Sequence, residues 1–252
     1  MRIAAGVVAL LCTGATIRPF TTGLPRGLGT TRGLPAAEFF SPGSTCALFG
    51  GLRTVAADLA WLRGFVSWER RDSAATEAML RLTTALDPVP VYFWINGARM
   101  IAYDMPAWLP ADATSGAIRE REATHARRAL DFLADALINH PANAALWIER
   151  GNIELHRLHD LGAAAESYRR ASELPGAPFY AARIYAELLR RAGRQADALS
   201  FLVALYPKLP ASDETAGAEL VLYRIRILEQ ELAIPADACF DARRSKRDGE
   251  SL

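Results

Sequence analysis

From residue 48 onward, apolar residues recur at spacings of three and four between Gly, Pro and Asp punctuation, and no stretch shows a convincing strand alternation. The pattern predicts helices over 48–71, 74–86, 91–104, 116–138, 142–158, 163–174, 178–192, 195–206 and 213–232, so the body is all-α. Ahead of it the pattern changes twice. Residues 1–15 carry one charge, Arg2, then the apolar run Ile3–Leu11 and the small-residue site Thr13-Gly14-Ala15, which reads as a signal peptide or signal anchor. Residues 16–47 carry Pro19, Pro25, Pro35 and Pro42 among five glycines and read as a linker, because neither helix nor strand tolerates that density. The helical body is expected to span 48–234, and 235–252, with Arg243, Arg244, Lys246 and Arg247, to form a flexible tail.

Within the body a period of 34 residues appears when the second helix of one predicted pair is laid on the next. Leu130, Ala164 and Ala198 stand 34 apart, as do Ala134, Tyr168 and Leu202, and Leu137, Ala171 and Leu205. Ala164-x3-Tyr168-x2-Ala171 supplies a small residue where two helices touch, an aromatic beside it and a second small residue one turn on; Ala78-x3-Leu82-x2-Ala85 repeats the spacing.

These residues resemble the tetratricopeptide repeat, a helix-turn-helix of 34 residues; Trp147-x3-Gly151 is similar to its first-helix signature and Ala192-Gly193-Arg194 to its turn. The resemblance covers residues 55–207. Two departures stand in it: Trp147 to Ala164 is one residue long against the pattern, and 106–117 is an insertion. The stretch Ala57-Asp58-Leu59-Ala60-Trp61-Leu62 also looks like a group of membrane-tethered bacterial proteins with these repeats. The resemblance implies a right-handed α-solenoid of about four helix pairs, each stacking on its neighbours because none buries its apolar face alone. The helix at 213–232 would close the stack, with Glu214, Glu219, Arg226, Glu229 and Gln230 outward.

Composition removes some functions. The 29 basic residues, of which only Lys208 and Lys246 are lysines, are nearly cancelled by 28 acidic ones, leaving a net charge of +1 and no electrostatic case for nucleic acid. Cleavage after Ala15 would leave Cys46 and Cys239, read as two unrelated thiols, with a disulfide open only if the chain ends meet. No Gly-x-Ser-x-Gly elbow, phosphate-binding loop or Cys-x2-Cys pair occurs, so neither an enzyme nor a cofactor is expected. His156 and His159, three apart on one predicted helical face, could begin a metal site, but spacing fixes no third ligand. His125, beside Arg127 and Arg128, falls on a long polar face.

For binding, the repeat's concave positions carry over onto Glu149, Ile153, His156 and Arg157 in one repeat and Tyr180, Arg183, Glu187, Arg190 and Arg191 in the next. Arginine offers a rigid fork for carboxylates, so the resemblance implies an acidic segment or chain terminus as ligand. The competing reading is a solvated face with Arg183 and Glu187 paired across one turn. Trp108, between Pro106 and Pro110, has no predicted helical face to hide on and is a candidate exposed anchor.

The expectation is a non-enzymatic protein–protein interaction scaffold at the bacterial envelope, either periplasmic or held to the inner membrane by its N-terminus. The alternatives are a structural subunit of a larger membrane assembly and a metal-binding module. Charge reversal of Arg183 and Arg190 is expected to weaken partner capture without lowering the melting temperature.

Overall fold

The computed structural model describes residues 42–108, 112–210 and 213–242, with side chains from Gly51 onward except Glu214. The apolar start, most of the expected linker and the last ten residues lie outside the described residues. Residues from Gly50 onward form one compact unit; those up to Phe49 form another, of which only the beginning of the first helix is described.

Among the described residues there are nine α-helices and no strand. They are α1 (Pro42–Glu69), α2 (Ser73–Leu86), α3 (Val91–Arg99), α4 (Ser115–Asn139), α5 (Ala144–His156), α6 (Leu161–Glu173), α7 (Phe179–Arg191), α8 (Gln195–Leu205) and α9 (Ala218–Glu231). The predicted helix over 91–104 is realised in two parts, α3 and a π-helical turn Met100–Asp104, after which a 3-10 turn closes at Ala107. Two boundaries differ by more than a few residues. α1 begins at Pro42, inside the expected linker, because proline is well suited to the first position of a helix, where its missing N–H costs nothing. α9 begins only at Ala218, since Gly217 sits in the left-handed region at φ 62° and breaks the path from 213.

Local chemistry explains the remaining starts and turns. The side chains of Asp72, Thr114, Asn143 and Asp160 each accept a hydrogen bond from the backbone N–H three residues on, capping α2, α4, α5 and α6. The turns before α6 and α8 place His159 at φ 54° and Gly193 at φ 77°, two residues 34 apart in the chain. Both turns therefore use one left-handed residue to reverse direction, histidine before α6 and glycine before α8.

Three apolar clusters succeed one another along the chain. Leu80, Trp94, Ile101, Phe132, Leu133, Leu146 and Ile153 build the first; Ile148, Ala164, Tyr168, Ala171 and Leu188 the second; Leu189, Leu202, Val221, Ile225 and Leu228 the third. Glycines allow the closest approaches. A Cβ on Gly97 would stand 2.8 Å from the Phe132 ring, and one on Gly151 2.8 Å from the Tyr168 ring. Gly97 lies on α3 and Gly151 on α5, and each is seated under an aromatic of the helix that follows.

Several polar positions differ from the sequence expectation. His125 is buried rather than on a polar face; burial, then the Arg121 and Arg128 charges, push its pKa down, favouring the neutral ring. Glu229 turns inward on α9, pairs with Arg226 at 2.7 Å and accepts the Phe240 backbone N–H, so it is not on an outer face. Phe240 in turn stands 5.5 Å from Tyr206, edge to face, so the stretch after Pro235 stays on the body at least that far.

Candidate partner-binding groove

Helices α7 and α9 flank a cavity of about 480 Å³ whose lining includes five of the expected binding residues: Tyr180, Arg183, Glu187, Arg190 and Arg191. Leu155, Ile184, Leu188 and Leu228 supply apolar lining, while Leu220, Tyr223 and Arg224 of α9 bring the second wall. The sequence reading missed that wall, although Leu220, Tyr223 and Arg224 follow helical spacing; Leu220 and Tyr223 are 58% and 63% exposed, high for such large apolar side chains. Four arginines against one glutamate make the lining cationic.

The five residues are not equally free. Arg183 donates from Nη1 to the carbonyl oxygens of Ala216 at 2.8 Å and Thr215 at 3.2 Å, clasping the turn before α9. A Cβ on Gly217 would lie 2.8 Å from the same nitrogen, so the turn and the guanidinium are fitted to each other. Arg183 does not pair with Glu187. Glu187 is bound in fork fashion by Arg190, at 2.9 and 3.0 Å, and Arg224 Nη1 lies 3.7 Å from the Oε2 that Arg190 Nε also reaches. The Arg190 hydrogen bonds hold the Glu187 carboxyl below its ordinary pKa, and Arg190 also reaches Glu231 at 3.4 Å. Arg191 is exposed and has no ion pair among the described residues, which leaves its fork available to a ligand.

Arg183 thus clasps the turn before α9, so its replacement is expected to lower stability as well as partner capture. Arg183→Ala removes two charge-assisted hydrogen bonds from the α7–α9 junction and should cost about 1–2 kcal/mol. Thermal unfolding measures this; an unchanged melting temperature would show that the turn holds α9 without the clamp.

The other expected residues lie elsewhere. Glu149 is buried on α5, and its Oε2 accepts from Arg99 Nη2 at 2.7 Å and Nε at 2.9 Å, so its charge is already answered within the chain. Those hydrogen bonds raise the Arg99 pKa further, while burial and then Glu149 raise that of Tyr103. Arg157 stacks 4.5 Å over the Tyr103 ring and donates to Glu122 at 3.0 Å, and Ile153 is buried in the first cluster. Only His156, exposed at the end of α5, is free of such contacts, and it does not line the cavity. Trp108 tucks back instead of standing out: it lies edge-on to Trp68 at 6.5 Å and packs against the first cluster.

The paired histidines do not share a helical face, because α5 ends at His156 and His159 is in the left-handed turn. Among the described residues no group of three or more His, Cys, Asp and Glu side chains is placed to hold a metal ion. Cys239 is a free thiol, and the side chain of Cys46 lies outside the described residues. No described helix is long and apolar enough to cross a membrane. Compared with known proteins, the chain matches no family model, and no curated protein matches it.

Proposed function

We propose that this chain is a non-enzymatic interaction scaffold of the tetratricopeptide type, its helix pairs stacked as a right-handed solenoid, which binds an acidic segment or chain terminus of a partner protein between α7 and α9. The observation that carries the reading is the gathering of Tyr180, Arg183, Glu187, Arg190 and Arg191 with an α9 wall around one apolar, arginine-rich cavity. Apolar surface rimmed by cations suits a peptide that presents one apolar side chain next to carboxylates, the first desolvated in the floor and the second met by guanidinium forks. The succession of three small cores along the chain, in place of one central core, agrees with a stacked repeat. The signal-like start at 1–15 supports placing the scaffold at the bacterial envelope, released or tethered.

The roles within the groove divide accordingly. Arg191 and Arg224 would meet the ligand's carboxylates, Tyr180 and Tyr223 would lie against its apolar part, and Arg183 and the Glu187–Arg190 pair would hold the walls at their spacing. The test is fluorescence-anisotropy titration of the full-length chain with an array of short acidic peptides carrying one aromatic or leucine residue, each with a free or amidated C-terminus. Arg191→Glu combined with Arg224→Glu should weaken the best binder by about 100-fold, corresponding to about 2.7 kcal/mol for two carboxylate contacts turned repulsive. Equal affinity of the double variant, or no preference for acidic over scrambled neutral peptides, would remove the groove from the reading.

A further inference from the structure

The inward face of α1 is well used. Ala57, Ala60 and Gly64 are buried, a Cβ on Gly64 would sit 3.2 Å from Met79 Cβ, and Trp68 donates from Nε1 to Asp104 at 2.9 Å. Trp61 packs on Phe93 at 5.1 Å, and Arg53 and Thr54 bond Leu86 and Asp87. The opposite face presents Leu52, Val55, Leu59, Leu62 and Val66, all between 44% and 62% exposed. Their spacing is three, four, three and four, which is the seam of a left-handed coiled coil and not the scattered exposure of an ordinary surface helix.

The charges beside this seam identify its occupant. If Leu52, Leu59 and Val66 are the a positions and Val55 and Leu62 the d positions, Asp58 is a g position and Arg63 the e position that follows it by five residues. In a parallel pair of identical helices, g of one strand faces that e of the other, so Asp58 of each chain meets Arg63 of its copy, twice by symmetry. An antiparallel pair sets g against g and e against e, and never brings Asp58 to Arg63. Neither residue has an ion pair among the described residues. We infer that α1 is a homodimerisation element: two copies of the chain associate through a parallel, two-fold seam of Leu52, Val55, Leu59, Leu62 and Val66, flanked by reciprocal Asp58–Arg63 pairs.

Two heptads would be too few for isolated peptides, which must spend association energy on folding the helix. α1 escapes that cost because its other face is already fixed by α2 and α3. A dimer built this way presents two peptide grooves per assembly and leaves both open, since no groove-lining residue lies on α1.

The experiment is sedimentation velocity of the full-length chain over a wide concentration range, with differently labelled variants mixed where needed and thermal melts as folding controls. The wild type is expected to dimerise. Leu59→Glu and Leu62→Glu, at outward positions, should weaken the dimer by at least about 100-fold, since each would bury an unpaired charge in the seam, and should melt as the wild type does at concentrations low enough for both to be monomeric. Asp58→Arg alone and Arg63→Asp alone should each be monomeric through like-charge repulsion, yet an equimolar mixture of the two should form heterodimers. A monomeric wild type, a dimer indifferent to Leu59→Glu, or a mixture that fails to associate would overturn the proposal. So would a monomer that binds phosphatidylcholine–phosphatidylglycerol vesicles in a manner lost in Leu59→Glu, which would assign the seam to a lipid surface. None of these outcomes depends on whether the α7–α9 groove binds peptide.

Discussion

Phe132→Ala is expected to destabilise the chain by about 3–5 kcal/mol, the range for deleting a fully buried aromatic. Phe132 is 1% exposed, its ring lies 4.9 Å from that of Trp94, and the Arg81 guanidinium sits 5.7 Å over its centre. It also covers Gly97, whose missing side chain lets α3 approach α4 so closely. Removing the ring therefore empties the contact between two helices, and neither can move in without dragging Leu80 and Leu133 from the same cluster. For a chain of this size the loss corresponds to a fall in melting temperature of about 10 °C, measurable by calorimetry. A loss under about 1 kcal/mol would mean that α3 and α4 collapse onto the vacancy and that the close glycine contact is not a rigid feature.

The second large effect arises at a similar glycine–aromatic contact, between α5 and α6. Gly151→Val should cost about 3 kcal/mol, because even its Cβ would lie 2.8 and 2.9 Å from two atoms of the Tyr168 ring and 3.4 Å from Ser167 Cβ. The ring has no easy retreat: Tyr168 is 2% exposed, and its hydroxyl donates to Asn152 Oδ1 at 2.6 Å. Helix propensity works the other way, since glycine is about 1 kcal/mol worse than alanine in a helix, but overpacking by three carbons exceeds that. The decisive measurement is a double-mutant cycle with Tyr168→Ala. With the ring gone the valine has space, so the pair should cost less than the sum of the single changes by about 1–3 kcal/mol. Additive losses would show that the glycine is needed for some reason other than the aromatic above it.

The same pair of residues shows how far the sequence could be read. Tyr168 was visible as a member of a repeating small–aromatic pattern, because helix contacts between sequence neighbours leave a periodic record, and Gly151 through the resemblance of Trp147-x3-Gly151 to the repeat's first-helix signature. The five cavity-lining residues on α7 were named only through the resemblance to the repeat. Glu149, His156, Arg157 and Trp108 carry the same residue types and lie elsewhere, because which charges are answered depends on groups far along the chain: Arg99 reaches Glu149 across 50 residues, and Glu122 meets Arg157 across 35.

What the sequence determined by itself is local and periodic: an all-helical body, the positions of most helix ends through their capping side chains and turn residues, and the small-against-large packing that lets successive helices touch. Those features depend on backbone hydrogen bonding and on neighbours within a few dozen residues. Only the tertiary structure decided which charged side chains are spent and which are free. It turned Arg183 into a clamp on the α9 turn, sank Glu149, Glu229 and His125 into the interior, folded Trp108 against Trp68, and left α1 with one face bound and the other bare. Burial and ion pairing are properties of surfaces brought together from distant parts of the chain, and a one-dimensional pattern records which faces are apolar but not which of them find a partner.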